Sequence, residues 1–419
     1  MFRDKCQAAT VRCLSGGQLK KENIMKHSTQ RILTTHVGSL ARTDSLLPLL
    51  RLKEQGQPYD REELARQMRE AVADVVRKQV EAGVDIVTDG EQGKSGFFTY
   101  VIERFNGFER KKPTPGNAMR PRSAGREYLA FPDYYAWSER IAAPFGGRSG
   151  RGSDADICTG PVSYKGHEAV QTDIANLKAA IEGRAHQDVF VPAIASSYVA
   201  ATFANEYYRS QEEYEQAVSD ALREEYRAIV DAGFILQIDD PRLVTYYMMH
   251  PEFGVDDCRK WAEKRVETIN DSLRGIPPEK VRFHTCYSID VGPRIHEMAL
   301  KDIVDIMLKI NAGAYSFEAA NPRHEHEYHV FERVKLPAGK ILIPGVISHT
   351  TNLVEHPELV AERIMRFAKL VGRENVIAGA DCGFAASALR FNDTHPSVAW
   401  LKFAALAEGA RLATKELWN

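Results

Sequence analysis

The chain has 419 residues, of which 44% are hydrophobic and 27% charged, so it is long enough to bury one large core or two ordinary ones. No stretch approaches the roughly 18 consecutive apolar residues that a membrane span needs, which argues against an integral membrane protein. The 55 basic and 57 acidic residues give a formal net charge of −2, so the overall charge does not favour nucleic acid or an acidic membrane as a partner. We therefore expect a soluble globular enzyme.

Six cysteines are spread through the chain, and the first thirty residues lack the apolar stretch of a secretory signal. This pattern predicts a cytoplasmic location with free thiols rather than a disulfide framework. In such a compartment, a cysteine close to a histidine is better explained as a metal or catalytic group than as half of a disulfide.

Residues 1–30 mix polar and charged side chains without hydrophobic periodicity, and a second methionine, Met25, lies just before the first strand-like run. We predict that this stretch is a disordered tail or reflects an overlong start of translation. Residues 31–419 are then expected to form one domain.

Short β-rich runs alternate with long amphipathic segments over the rest of the chain. Eight runs have the composition of buried strands: Ile32–Val37, Val84–Thr88, Val189–Ala195, Phe234–Ile238, Val281–His284, Ala314–Glu318, Ile341–Val346 and Val376–Ala380. Segments between them have the apolar spacing of crossover helices: Arg61–Ala82, Gln211–Ala232, Cys258–Ile276, His296–Ala312 and Pro357–Val371. Eight βα units predict an α/β fold with a single (β/α)8 TIM barrel. The alternative is an open α/β sheet, although no glycine-rich dinucleotide loop follows the first run.

A stretch rich in proline and glycine interrupts this alternation after the second βα unit, at about residues 110–165. Between Arg110 and Arg151 it carries nine basic and three acidic residues in a chain that is otherwise acidic. We expect a long arm that is either solvated or in contact with an anionic substrate or a neighbouring subunit. The segment Ile157–Tyr164 looks extended and is assigned to this arm rather than to the barrel.

A histidine and two cysteines lie at the ends of predicted strands. His284 and Cys286 are two residues apart at the end of one strand, where period-two alternation sends both side chains to the same side. Cys382 follows the last strand, and Glu318 ends the strand after the one that carries His284. Because the carboxyl ends of barrel strands open on one catalytic face, we expect these side chains to converge there.

Two thiolates and an imidazole are the ligands that Zn²⁺ prefers, with a carboxylate or an exchangeable ligand as the fourth. Zinc lowers the pKa of an incoming thiol, so that a thiolate nucleophile is available at neutral pH. A hydrolase that uses zinc-bound water would more typically show two or three histidines with a carboxylate. The pattern therefore indicates alkylation of a thiol.

Six ordered motifs carry a resemblance to a known family. They are Thr34-Thr35-His36-Val37-Gly38-Ser39, Thr88-Asp89-Gly90-Glu91, Leu236-Gln237-Ile238-Asp239-Asp240-Pro241, His284-Thr285-Cys286-Tyr287-Ser288, Pro344-Gly345-Val346 and Asp381-Cys382-Gly383. Together they resemble the C-terminal catalytic barrel of cobalamin-independent methionine synthase, from about Arg31 to Ser387 and beyond. The resemblance implies zinc held by His284, Cys286, Glu318 and Cys382.

The resemblance also implies how an amino-acid thiol would bind. Val37, Gly38 and Ser39 in the turn after the first strand would contact the substrate carboxylate. Glu91 and Asp239 would hold its ammonium group, which suits two carboxylates beside a cationic metal. His349 lies near the position of the family's catalytic histidine and would protonate the leaving group.

Two departures from the family leave the alkyl donor open. The methionine synthases have a second, N-terminal barrel that helps to bind polyglutamated folate, and this chain has a single barrel. Where the family carries a tryptophan against the pterin ring, the matching stretch has Tyr198. Single-barrel relatives include core methionine synthases thought to use methylated corrinoid proteins and epoxyalkane:coenzyme M transferases.

We therefore expect a zinc-dependent thiol alkyltransferase, with methyl transfer to homocysteine in methionine biosynthesis as the leading version. The methyl donor would be 5-methyltetrahydropteroyltriglutamate or another methyl carrier, and a homo-oligomer remains open. The alternative is opening of an epoxide by coenzyme M, whose sulfonate would suit the cationic residues after Glu318, namely Arg323, His324, His326 and His329. Remoter alternatives are a metal-free enzyme similar to uroporphyrinogen decarboxylase and a zinc-stabilised scaffold.

Overall fold

The computed structural model describes residues 24–114, 120–142, 154–287, 292–385, 387 and 394–419. Its strands are β1 (Leu33–Thr34), β2 (Ile86–Val87), β3 (Phe105–Lys111), β4 (Ala155–Tyr164), β5 (Asp188–Ile194), β6 (Ala204–Asn205), β7 (Ile235–Asp239), β8 (Val281–His284), β9 (Ala314–Phe317), β10 (Ile341–Ile347) and β11 (Ile377–Ala380). Its helices are α1 (Leu46–Glu54), α2 (Arg61–Glu81), α3 (Tyr100–Arg104), α4 (Arg126–Ala130), α5 (Pro132–Ala142), α6 (His167–Ile181), α7 (Ser196–Thr202), α8 (Gln211–Asp231), α9 (Arg242–Met249), α10 (Val255–Ser272), α11 (Val304–Met307), α12 (Pro357–Val371) and α13 (Pro396–Leu417).

Eight parallel strands form a nearly closed barrel with helices between them. Their order around the barrel is β1, β11, β10, β9, β8, β7, β5, β2. The seam between β1 and β2 is bridged by Asp85, whose backbone N–H donates to Thr34 O at 3.2 Å and whose Oδ2 accepts from Thr34 N at 2.9 Å. The single TIM barrel and all eight of its predicted strands are confirmed.

The barrel strands are buried on both faces, which explains their nearly continuous apolar sequences. Every residue of β5, β7 and β10 is buried. The strand starts enclose a small apolar cluster at the amino-terminal end of the barrel, and its members include Phe190, Ile235, Ile343 and Ile377. The opposite, carboxyl end of the strands is left for polar side chains.

The residues just before β1 belong to the packed domain. Met25 is buried in the apolar cluster at the strand starts, and its backbone N–H donates to Glu279 O at 3.1 Å. Ser28 is also buried and donates from Oγ to Val376 O at 2.6 Å. The domain boundary predicted at residue 31 is therefore too late, because residues 24–30 pack on the barrel. The rest of the predicted tail, residues 1–23, lies outside the described part of the chain.

Four of the five predicted crossover helices are confirmed, as α2, α8, α10 and α12, with small shifts at their ends. The predicted helix His296–Ala312 is wrong: the segment holds only the short α11 and one 3-10 turn. Leu300 N, which would donate to His296 O in a helix, donates to Glu327 Oε1 at 2.7 Å instead. His296 N donates to Glu127 Oε1 at 2.6 Å, which fixes the start of the segment on the arm.

The predicted arm contains regular structure that its sequence did not indicate. The segment Ile157–Tyr164 is extended and lies outside the barrel, as predicted. It belongs to a separate three-stranded sheet that was not predicted, in which β4 pairs with β3 in antiparallel fashion and with β6 in parallel. Helices α4 and α5 lie between β3 and β4 in the chain. Arg126 of α4 donates to the carbonyls of Tyr247 at 2.9 Å and Phe253 at 2.6 Å. The arm therefore folds back over the segment that follows β7.

Within the ranges that the structure describes, none of the helices combines the length and the hydrophobicity that crossing a membrane requires.

Candidate active site

A histidine and two cysteines meet at the carboxyl ends of β8 and β11. The ligand atoms of His284, Cys286 and Cys382 all lie within 4.8 Å of one another, and the two sulfur atoms are 3.2 Å apart. His284 and Cys286 are buried, whereas Cys382 is partly exposed, so the group is open on one side. The convergence predicted for these three residues is therefore present, and both thiols are free.

The electrostatics of this group favour a cation. The hydrogen bond with Cys286 raises the pKa of Cys382 well above its usual value, and burial and the charge of Glu318 raise it further. Burial lowers the pKa of His284 to about 3, which keeps the imidazole neutral. His284 Nδ1 lies 3.1 Å from Ser316 Oγ, whereas the buried Nε2 has no hydrogen-bond partner among the described residues. A neutral imidazole with one free nitrogen beside two crowded thiols fits a borderline-soft divalent ion such as zinc.

Glu318 lies beside this group but is not brought into it. Its Oε1 accepts from Tyr287 N at 2.7 Å. Its Oε2 accepts from Arg294 Nη2 at 3.0 Å and from Asn321 Nδ2 at 2.5 Å. Coordination of a metal by Glu318 therefore stays a prediction, and Oε1, which accepts a single hydrogen bond, is the oxygen that keeps a lone pair for it.

A second group of predicted residues lies one strand away. Asp239 ends β7 and is the register partner of His284 on β8. The turn after β1 packs against Glu91, because a Cβ atom on Gly38 would lie 3.5 Å from Glu91 Oε1. The same Cβ would collide with Pro192 at 2.6 Å, and φ of Gly38 is 140°, so only glycine fits this turn. Val37, Gly38, Glu91 and Asp239 are thus near neighbours.

Glu91 and Asp239 form a buried acidic pair. Burial raises the pKa of each carboxyl group, and the charge of Glu91 raises the pKa of Asp239 further. Asp239 Oδ1 accepts from Gln237 Nε2 at 2.8 Å, but the buried Glu91 Oε2 has no hydrogen-bond partner within the described ranges. Two buried carboxylates with an unused acceptor are suited to binding a cationic ligand group.

Ser39 connects the acidic pair to the cysteines. Its backbone oxygen accepts from Phe384 N at 2.9 Å, and a methyl group on Gly383 would collide with Ser39 Oγ. The turn after β1 therefore lies directly against the segment that contains Cys382. The acidic pair and the group formed by His284, Cys286 and Cys382 are therefore near each other at the carboxyl end of the barrel.

His349 also lies at this end of the barrel. The residue is buried and lies two positions after the end of β10. Its backbone oxygen accepts from Thr394 Oγ1 at 2.6 Å, and the preceding Ser348 N donates to Glu355 Oε1 at 2.7 Å. His349 thus lies at the carboxyl end of the barrel, and its role as a proton donor stays a prediction.

Three of the four cationic residues after Glu318 have partners within the chain. His324 lies between Glu297 and Glu327, at 3.1 and 2.8 Å, and their hydrogen bonds outweigh burial and raise its pKa to about 9. Arg323 donates to Ile295 O, and the exposed His329 pairs with Glu332.

Tyr198 is enclosed rather than presented to a ligand. It is 7% exposed, and its ring contacts Phe97 and Phe98, with ring centroids 5.6 Å apart in each pair. The guanidinium of Arg242 lies 5.4 Å from the centre of the ring. In this arrangement the ring is covered on several sides.

A buried arginine under the acidic pair was missed from the sequence. Arg282 donates to Thr35 Oγ1 at 3.0 Å and to His36 O at 2.7 Å, and its charge acts on Asp239. Burial lowers its pKa to about 9. Period-two alternation could have identified it, because Arg282 lies two residues before the inward-facing His284.

Comparisons with known proteins agree with this geometry. The family described as the catalytic domain of cobalamin-independent synthase matches residues 32–115 and 193–404, and the gap between these ranges contains most of the arm. A methionine synthase of Saccharolobus solfataricus is 26% identical over 388 residues, which cover 92% of this chain and 95% of that protein. A methionine synthase of Thermococcus kodakarensis is 24% identical over 389 residues, covering 92% and 94%.

Two solved structures share the fold. A B12-independent methionine synthase from Shewanella sp., in complex with selenomethionine, has a TM-score of 0.64 at 22% identity, covering 93% of this chain and 99% of that chain. A vitamin-B12-independent methionine synthase from Listeria monocytogenes, described by its authors as putative, has a TM-score of 0.61 at 18% identity, with the same coverage. At these identities the likeness establishes the common architecture alone.

Proposed function

The chain belongs to the family of cobalamin-independent synthase catalytic domains, and we propose that it is a metal-dependent methyltransferase that methylates the thiol of homocysteine. The proposal is carried by one observation: the His284, Cys286 and Cys382 group lies beside the buried acidic pair Glu91 and Asp239. Curated relatives that are methionine synthases match over nearly their whole length, which supports the same reaction for this chain.

His284, Cys286 and Cys382 would hold the metal, and we propose Zn²⁺ as the ion. Bound there, zinc lowers the pKa of a coordinated thiol, so that the thiolate is present at neutral pH. Glu318 is proposed as a fourth ligand when no thiol is bound, through Oε1, which accepts only from Tyr287 N.

The chain's own residues orient the substrate. Glu91 and Asp239 accept hydrogen bonds from the ammonium group, which also relieves the cost of burying two carboxylates together. Val37, Gly38 and Ser39 offer backbone and hydroxyl groups to the substrate carboxylate. The sulfur atom then points toward the metal-binding group, because the turn after β1 packs directly on the Cys382 segment.

His349 is proposed as the proton donor. When the thiolate attacks the methyl carbon, a sulfur–carbon bond forms and the bond from that carbon to its carrier breaks. The electron pair stays with the carrier, and His349 would supply the proton that neutralises it. The carrier is proposed to be 5-methyltetrahydropteroyltriglutamate or another methyl donor, such as a methylated corrinoid protein.

The acidic pair favours homocysteine over coenzyme M, because the sulfonate of coenzyme M would meet buried carboxylates rather than free cations. Titration of both thiols into the cobalt-substituted protein tests this, since a bound thiolate produces a sulfur-to-cobalt absorption band. We expect the band with homocysteine, weakened in Asp239→Asn. Tight binding of coenzyme M that is unchanged in Asp239→Asn, without binding of homocysteine, would establish the epoxide-opening alternative instead.

A further inference from the structure

A buried arginine joins three loops around the site. Arg42 is 5% exposed and lies in the segment between β1 and α1. Its Nη1 donates to Ala385 O at 2.6 Å and to Leu40 O at 3.2 Å. Its Nη2 donates to Glu91 O at 2.7 Å and to Lys94 O at 2.9 Å. One guanidinium therefore binds four backbone carbonyls.

These carbonyls belong to the segments that carry both halves of the site. Ala385 is three residues after Cys382, and Leu40 follows the turn that contains Ser39. Glu91 itself accepts one of the hydrogen bonds. The planar guanidinium presents its donors in a fixed fork, so it fixes the distances between the carbonyls that it binds, which a flexible ammonium group cannot do.

The backbone of Glu91 needs such support. Its φ is 56°, in the left-handed region that residues with a side chain rarely adopt. Asp89 Oδ1 accepts from Glu91 N at 2.9 Å, and Arg42 binds Glu91 O, so side chains hold the residue at both ends. This conformation places the Glu91 carboxylate against Gly38, with Oε2 unused.

We propose that Arg42 is a positioning residue that holds the Glu91 carboxylate at the correct distance from the Cys382 segment and so makes the site selective for thiols that carry an amino group. This inference rests on the proposed function, because it assumes that Glu91 binds the substrate ammonium. It adds a determinant of substrate class that contacts neither the metal-binding group nor the substrate.

Binding of two thiols tests the proposal. Homocysteine and 4-mercaptobutanoate, which lacks only the amino group, are titrated into the zinc-loaded protein by calorimetry. In Arg42→Lys we expect Kd for homocysteine to rise about tenfold while Kd for 4-mercaptobutanoate changes little, because the misplaced Glu91 affects only the amine contact. In the Glu91→Gln background, Arg42→Lys should have no further effect on selectivity.

Arg265→Lys is the matched control, because Arg265 is also buried but pairs with Glu215 on the outer helices. It should leave both Kd values unchanged. If Arg42→Lys fails to bind zinc or to fold, Arg42→Ala is measured with and without added guanidinium, which should restore selectivity by filling the vacated space.

The possible results separate the two proposals. The role of Arg42 would be overturned if Arg42→Lys raised Kd equally for both thiols. It would also be overturned if added guanidinium failed to restore the selectivity of Arg42→Ala. A wild-type protein that binds both thiols equally well would instead overturn the assignment of the acidic pair to the substrate ammonium.

Discussion

The pKa of Asp239 is controlled by its burial next to a second carboxyl group. Its carboxyl group is buried at the end of β7, close to Glu91. Burial, and then the negative charge of Glu91, raise its pKa well above the ordinary value. Because the folded protein holds this proton more tightly than the unfolded chain does, the contribution of Asp239 to stability falls as pH rises above the ordinary carboxyl pKa. Near neutral pH the group destabilises the substrate-free protein.

Asp239→Asn is therefore expected to stabilise the protein and to weaken homocysteine binding at the same time. The gain in Tm over wild type should be larger near neutral pH than near the ordinary carboxyl pKa. At neutral pH, ionisation of Asp239 stabilises the unfolded wild-type chain, whereas the amide of the variant does not ionise. Differential scanning calorimetry of the substrate-free protein at several pH values measures the gain.

Asp305→Asn is the control with the opposite sign. A hydrogen bond from Arg259 lowers the pKa of Asp305, so the contribution of Asp305 to stability is present at neutral pH and is lost as pH falls.

A Tm difference between wild type and Asp239→Asn that stays constant with pH would contradict the burial of an acidic pair.

At the residue scale, the proximity of His284 and Cys286 could be predicted because the pattern that places them together is local. His284 and Cys286 are two residues apart, and period-two alternation alone places them on one side of a strand. The hydrogen bonds of Glu318 could not be predicted, since Arg294 lies in a segment whose backbone follows no regular period. The hydrogen bond from Arg42 to Glu91 could not be predicted either, because Arg42 binds four carbonyls in three loops that are distant in sequence.

At the element scale, the arm is tied to the barrel by a few side chains. Arg126 donates to three carbonyls beyond β7 and lies 4.0 Å from the centre of the Tyr247 ring. Arg120 pairs with Glu252 at 2.6 Å. Basic residues that were expected to be solvated or to meet an anion are thus partly used within the chain. The side chain of Arg122 and residues 115–119 and 143–153 lie outside the described part of the arm.

Arg126→Ala is expected to release the arm from the loop that follows β7 while the barrel stays folded. The reason is that three hydrogen bonds and the contact with the Tyr247 ring are lost together. Limited proteolysis should cut the variant in the arm faster than wild type, and Tm should change little. Arg223→Ala, which removes an exterior arginine of α8, is the control. Equal cleavage rates in the arm for all three proteins would show that Arg126 does not hold it.

The barrel strands could be predicted from sequence because burial on both faces requires long apolar runs. The helix expected over His296–Ala312 has apolar residues at helical spacing, but carboxylates of Glu127 and Glu327 bind its backbone amides instead. Those partners are distant in sequence, so no local pattern indicates them. Strand β3 was missed because Phe105–Lys111 is mostly polar, and it is stabilised by pairing with β4.

At the scale of the whole molecule, the residues before β1 close the amino-terminal end of the barrel. Met25 packs in the same cluster as Phe190 and Ile343. Met25→Ala is expected to lower the free energy of unfolding by about 2 to 5 kcal/mol, because a buried side chain is replaced by a cavity. Urea denaturation measures the loss, and metal content should not change because the site lies at the other end.

Ile24→Ala is the matched control, since Ile24 is 49% exposed, and its effect should stay within about 0.5 kcal/mol. Equal stability of the Met25 and Ile24 variants would show that this segment does not contribute to the core.

The central claim is that His284, Cys286 and Cys382 form an open metal site that binds the thiol of homocysteine. X-ray absorption at the zinc edge of the purified protein, recorded with and without homocysteine, tests it most directly. The account predicts two sulfur, one nitrogen and one oxygen scatterer in the thiol-free protein, replacement of the oxygen by a third sulfur when homocysteine is added, and loss of stoichiometric zinc in Cys286→Ser. A zinc-free protein that is fully active, or a zinc spectrum that homocysteine leaves unchanged, would contradict it.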